Sequence, residues 1–169
     1  MTGEENDRLA LEAVKGNQSA YEFICLITSI LHVWDDLIDK DKTLTNDQIN
    51  ECFWRMLVTL PRNQFYASNF QILNPTLMMA IQNWMTANRL EDEHLISPSD
   101  THTLEIAFII RSTYCELIIQ SALICGGYEW SQDVSYRVRR MWHDETLHGY
   151  TLNLYKQQDD ALKENKNGL

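Results

Sequence analysis

"YEFICLITSILHVWDDLIDK", residues 21–40, decides the fold. Phe23, Ile24, Ile27, Ile30, Leu31, Trp34, Leu37 and Ile38 recur at three- and four-residue steps, the spacing that gathers side chains onto one side of an α-helix. The pattern predicts a helix over about 18–40. Thr28, His32, Asp35 or Asp36, and Asp39 follow the same steps, so a polar line accompanies the apolar one. Asp35 and Asp39 are one turn apart and Asp36 lies one turn below Asp39, so carboxylates can converge near the helix C-terminus. That end carries the negative pole of the helix dipole, and Asp35, Asp36, Asp39 and Asp41 are unfavourable there without a cation. A divalent metal would supply it. A solvated acidic end leading into the "KDK" loop is the plainer reading.

The rest of the chain repeats the helical signal and lacks strand signals. A short first helix is expected over about 7–15. Thr45 with Gln48 three residues on resembles a capping box and opens a helix that should stop before Pro61. Asn74-Pro75 reads as an N-cap and first-position pair for a helix to about Glu93. "SPSD" (97–100) reads as a turn and a helix start. A strongly apolar helix over about 102–125 should end at Gly126-Gly127, and Ser131 should cap a last helix to about Gln158. These elements make an all-α, single-domain bundle of five to six helices over 1–158, with 159–169 a polar, fraying tail.

Composition narrows the classes. A length of 169 residues with 44% apolar and 22% charged residues is enough for a buried core. The net charge of −10 disfavours nucleic acid and anionic membrane surfaces as partners. The acidic start "MTGEENDRLALEAVKG" is unlike a secretory signal, and no apolar run reads as a membrane span. Cys25, Cys52, Cys115 and Cys125 have no metal-binding or redox spacing, which points to reduced thiols and a cytoplasmic location. A homodimer is the expected assembly if so short a chain completes its core by pairing.

Two later helices carry further candidates. In 102–125, Ser112, Glu116 and Gln120 form a polar stripe, and Glu116 needs a partner, a polar cavity or solvent. In "RVRRMWHDETLHGY" (137–150), Asp144–His148 and Glu145–His148 have spacings at which one helix offers two metal ligands. Arg137, Arg139 and Arg140 form a basic patch, and arginine forks suit phosphate oxygens. Ion pairs along the helix surface would use the same arginines.

"DDLID" (35–39) resembles the first aspartate-rich motif, DDxxD, of the class I isoprenoid synthases, residue by residue at Asp35, Asp36 and Asp39. That resemblance implies an all-α enzyme in which Mg²⁺, held between two acidic motifs, binds a substrate diphosphate. Asp35, Asp36, Asp39, Asp144, Glu145 and His148 would then be metal ligands, Arg137 and Arg140 phosphate contacts, and His32 and Glu116 polar lining. A small phosphorylated ligand is the implied partner. The second motif departs from the family's: "HDETLH" puts Asp144 and His148 where acids and a hydroxyl stand, and the chain is little more than half the usual length.

Other classes use some of the same residues. A di-iron bundle needs Glu-x-x-His on two helices, and Glu91-x-x-His94 with Glu145-x-x-His148 supplies it, alongside Glu116 and Asp35 or Asp36. In that case the metal is iron, although "LEDEHLISPSD" reads as a helix end. A metal-dependent nucleotide pyrophosphohydrolase is a third reading, and a non-enzymatic helical adaptor or inhibitor a fourth.

Overall fold

The computed structural model describes residues 3–39, 42–98, 101–141 and 145–167. Among these there are seven helices and no strand. They are α1 (Gly3–Ala13), α2 (Gln18–Asp39), α3 (Asn46–Trp54), α4 (Phe70–Ile96), α5 (Thr101–Ile110), α6 (Cys115–Met141) and α7 (Leu147–Asn167).

The opening stretch forms α2 as expected, with Phe23, Ile24, Ile27 and Ile30 turned inward. Phe23 is fully buried and stacks on Tyr66 at 5.5 Å between ring centroids, with Phe65 at 6.0 Å. Around it lies the main core, drawn from α1, α2, the short turn Gln64–Ser68, the start of α4 and α6. Burying a Phe, Leu or Ile side chain stabilises by about 1.5–3 kcal/mol each, so this cluster carries most of the apolar stabilisation. A second, smaller cluster of Leu104, Tyr150 and Leu154 joins α5 to α7.

Several expected boundaries move, each for a local reason. Thr45 does cap α3 through a full capping box with Gln48. Pro61 does not end the helix there. The chain widens into a π-helical turn, Arg55–Thr59, in which the Leu60 amide reaches back to the Arg55 carbonyl, and continues helical through Leu60–Arg62. A wider turn accommodates the proline that a regular one would reject.

Asn74 caps nothing. Helix α4 starts four residues earlier with Pro75 inside it, and the Asn74 Oδ1 accepts from the Tyr66 hydroxyl at 3.0 Å. The helix also continues to Ile96, past the expected end near Glu93.

The 102–125 helix is broken at Arg111–Tyr114. Ser112 and Thr113 hydroxyls take the Ile109 and Ile110 carbonyls at 2.9 and 2.8 Å, and the Cys115, Glu116 and Leu117 amides bond three residues back rather than four. Hydroxyl side chains that compete for backbone carbonyls loosen a helix in this way.

Gly127, at φ 79 and ψ −176, stops the next helical stretch, as the Gly-Gly pair predicted. The chain folds back there. The Arg139 guanidinium bonds Glu116 across the turn, although 23 residues of straight helix would put them about 34 Å apart. The arms 115–126 and 128–141 are therefore antiparallel. Gly126 makes room for the fold: a Cβ there would stand 2.2 Å from Trp130 Cδ1, and the Trp130 indole donates to the Ala13 carbonyl at 2.7 Å.

Ser131 is buried inside the second arm and donates to the Tyr128 carbonyl, so it is no cap. The expected 131–158 helix is two helices. Thr146, not Ser131, opens the last one by accepting from the Gly149 amide at 3.1 Å, and α7 then runs on to Asn167, beyond the expected end.

Thr101–Arg140 is long and apolar enough to cross a membrane by length and composition. The break at 111–114 and the reversal at Gly127 divide it into three pieces, each shorter than the roughly 20 helical residues a bilayer needs.

Candidate functional site

The break in the apolar 101–126 run delivers Arg111 to the interior, and the site is built around it. Its Nη1 donates to Glu91 Oε1 at 3.0 Å and its Nη2 stands 3.6 Å from Asp35 Oδ1. The Tyr150 hydroxyl donates to the same Glu91 oxygen, and the guanidinium lies over the Tyr150 ring at 5.2 Å. Four segments meet here: α2 through Asp35, α4 through Glu91, the α5–α6 turn through Arg111 and α7 through Tyr150.

Burial opposes the charge on Arg111, but the carboxylates of Glu91 and Asp35 outweigh it and hold its pKa above the ordinary value. Burial first, then the bond to Glu91, pushes the Tyr150 phenol well above its usual range.

Two cavities share Asp35 and Arg111. One, of about 140 Å³, is polar and lined by Asp35, Asp39, Arg111, Glu145, Tyr150 and Asn153 among others. Here the Glu145 carboxylate accepts from Asn153 Nδ2 at 3.0 Å. The other, of about 190 Å³, is largely apolar, and Leu31, Trp34, Ala80 and Trp84 wall it, with His32 and Thr28 at its polar side. The Trp34 and Trp84 rings touch at 4.3 Å between centroids.

The structure thus gathers Asp35, Asp39 and Glu145 from the expected ligand set around one cavity. Asp36 turns elsewhere and pairs with Lys42 at 2.8 Å. His148 is exposed and does not line the cavity, and Asp144 lies outside the described residues. His32 lines the aromatic cavity.

The two arginines expected at phosphate are used otherwise. Arg137 forms a two-pronged ion pair with Glu12, both arms at 2.9 Å, and Arg140 lies over the Tyr136 ring and bonds its hydroxyl. Glu116 pairs with Arg139. None of these lines either cavity.

Glu91 and His94 are both buried within α4 rather than at a frayed end. Glu91 is engaged by Arg111 and Tyr150, and His94 Nε2 sits 2.9 Å from the Tyr155 hydroxyl. Among the described residues, no three His, Cys, Asp or Glu side chains stand together closely enough to hold a metal by themselves. The donors at the polar cavity are hard oxygens, which suit Mg²⁺. A cation there would take two of the described carboxylates at most, completed by water and ligand oxygens, as Mg²⁺ commonly is.

Sequence reading did not single out Arg111, Tyr150 or Asn153. For Arg111 the signal is present: it is the one charged residue between the apolar runs Ile106–Ile110 and Tyr114–Cys115, and a charge in such a run must find a partner. Tyr150 and Asn153 look like any polar positions of a surface helix. No family profile, curated protein or solved structure matches the chain.

Proposed function

We propose that the polar cavity binds Mg²⁺ together with a diphosphate-bearing small molecule, in the manner of an isoprenoid synthase, active or degenerate. The observation that carries this reading is the convergence of Asp35 and Asp39 of α2 with Glu145 ahead of α7 around one cavity. Among the described residues around it, those three acids and Glu91 outnumber the cation Arg111, so a bare phosphate would be repelled and a metal would have to accompany it. The adjoining aromatic cavity, which shares Asp35 and Arg111, offers space for an apolar body attached to the charged head. The iron reading draws less support, because Glu91 is already bonded to a guanidinium and a phenol.

The test is thermal denaturation with Mg²⁺, with pyrophosphate and with both. Both together should raise the melting temperature more than either alone, since a ligand that binds only the folded state stabilises it by mass action. Asp35→Asn and Asp39→Asn should abolish the gain, whereas Asp36→Asn should keep most of it. No joint effect, or one that survives both substitutions, sinks the reading. Stoichiometric iron in the purified protein would sink it in favour of the di-iron class.

A further inference from the structure

Among the described residues, Asp35 and Arg111 alone line both cavities, and they face each other. The two arms of the Arg111 fork are held unequally. Nη1 donates to Glu91 at 3.0 Å, and that carboxylate is 11% exposed and also accepts from the Tyr150 hydroxyl. Nη2 stands 3.6 Å from Asp35, too far for a hydrogen bond, and Asp35 is 41% exposed. The Glu91 arm is therefore an anchor. The Asp35 arm is the one that can let go without stranding a buried charge.

We propose, resting on the Mg²⁺ and diphosphate reading of this site, that Arg111 is the switch that makes the two ligands bind jointly. Its loose arm faces Asp35 until metal and anion arrive together, and it then passes from the carboxylate to the anion. Mg²⁺ arriving alone at Asp35 meets the guanidinium at the same carboxylate, and two cations so close repel. An anion arriving alone meets the acids Asp35, Asp39 and Glu145. When both arrive, the metal takes Asp35 and a phosphate oxygen takes Nη2, so each charge trades one partner of opposite sign for another. Nη1 stays on Glu91 throughout. An ammonium is a single point charge and does not span two acceptors in this way, so the switch needs an arginine.

The experiment is equilibrium dialysis of the full chain against Mg²⁺, alone and with inorganic pyrophosphate, at fixed ionic strength, with bound metal read by elemental analysis. In the wild type, pyrophosphate should tighten Mg²⁺ at least about tenfold, within the ordinary range of coupling between two ligands. Arg111→Gln keeps a polar donor and removes the charge. It should bind Mg²⁺ alone about tenfold tighter than wild type and lose most of the coupling. A residue that only held the fold together would weaken the metal on removal, not tighten it. Arg111→Lys should keep the weak affinity for Mg²⁺ alone and also lose most of the coupling. Arg137→Gln, at a residue paired with Glu12 outside both cavities, should behave as wild type.

An unchanged or weaker Mg²⁺ affinity in Arg111→Gln overturns the switch and leaves the metal reading standing. Wild-type coupling in either Arg111 variant does the same, as does coupling lost in Arg137→Gln. No coupling in the wild type overturns the metal reading itself, and the switch with it. Should Arg111→Gln fail to keep the wild-type helical circular dichroism, Arg111→Lys decides by itself.

Discussion

The two halves of this bundle are held by different forces. The half made by α1, α2, the Gln64–Ser68 turn, the start of α4 and α6 has a continuous apolar core around Phe23, Leu73, Leu117, Val134 and Val138. The half made by α5, α7 and the end of α4 has, among the described residues, a smaller core of Leu104, Tyr150 and Leu154 with Leu95, Phe108 and Leu147 packed on it, and the Glu91–Arg111–Tyr150 cluster and the His94–Tyr155 contact add polar cohesion. Dispersion and apolar burial tolerate few alternatives to dense packing. A bonded polar cluster holds only while every partner is present. The polar cavity lies where the two sides meet, with Asp35 and Asp39 of α2 on one wall and Arg111 and α7 on the other, and the aromatic cavity lies between α2 and α4.

The largest effect should come from the apolar half. Phe23→Ala removes the ring that packs on Phe65 and Tyr66 and should cost about 3–5 kcal/mol, read as a cooperative loss of the whole chain in urea. If α7 survives that loss with its own transition, the halves are less coupled than their shared α4 implies.

Arg111→Met comes next. It leaves Glu91 buried with its phenol partner but no cation, at a cost of about 2–3 kcal/mol, below the range for a sealed pair because Arg111 keeps a quarter of its side chain exposed. Amide exchange should quicken in α5 and α7 and stay slow in α2. Uniform quickening would erase the contrast between the halves.

The same cluster sets the alkaline limit. A phenol whose folded pKa is raised stabilises fully below its unfolded value of 10.0 and loses that contribution as pH climbs through the folded one. Stability should therefore fall above about pH 10, and Tyr150→Phe should fall less steeply. Tyr21 and Tyr66 shift in the same direction, so the readout is the difference between the two proteins.

The smallest effect belongs to the surface. Glu12→Gln breaks the ion pair with Arg137 and should cost under about 1 kcal/mol, since Glu12 is half exposed and screened. The Arg137 hydrogen bond lowers the Glu12 pKa, so what the pair contributes is present above pH 4.5 and fades as pH falls through the folded value. A larger cost in a denaturant titration would mean that α1 is pinned by charge as well as by its apolar face.

The sequence was legible where one residue's chemistry acts on its own neighbours. The apolar spacing of α2, the Thr45–Gln48 box and the Gly127 reversal are all of this kind. It was less legible where a distant group outbid the local one. Asn74 looks like a cap until Tyr66, eight residues away in sequence, claims its oxygen. Arg137 looks like a phosphate contact until Glu12, 125 residues away, pairs with it. The site was half visible for the same reason: Asp35 and Asp39 sit on one helix, whereas their meeting with Glu145 and Arg111 depends on how α2 packs against later segments.

The paired indoles of Trp34 and Trp84 have a consequence of another kind. Two indole rings with centroids 4.3 Å apart and planes tilted by 42° exchange excitation, and such coupling adds a signed band pair to the circular dichroism of the chain. Because one ring belongs to α2 and the other to α4, that signal measures the separation of the two helices at the wall of the aromatic cavity. The molecule thus carries its own optical gauge of whether that cavity is open or filled.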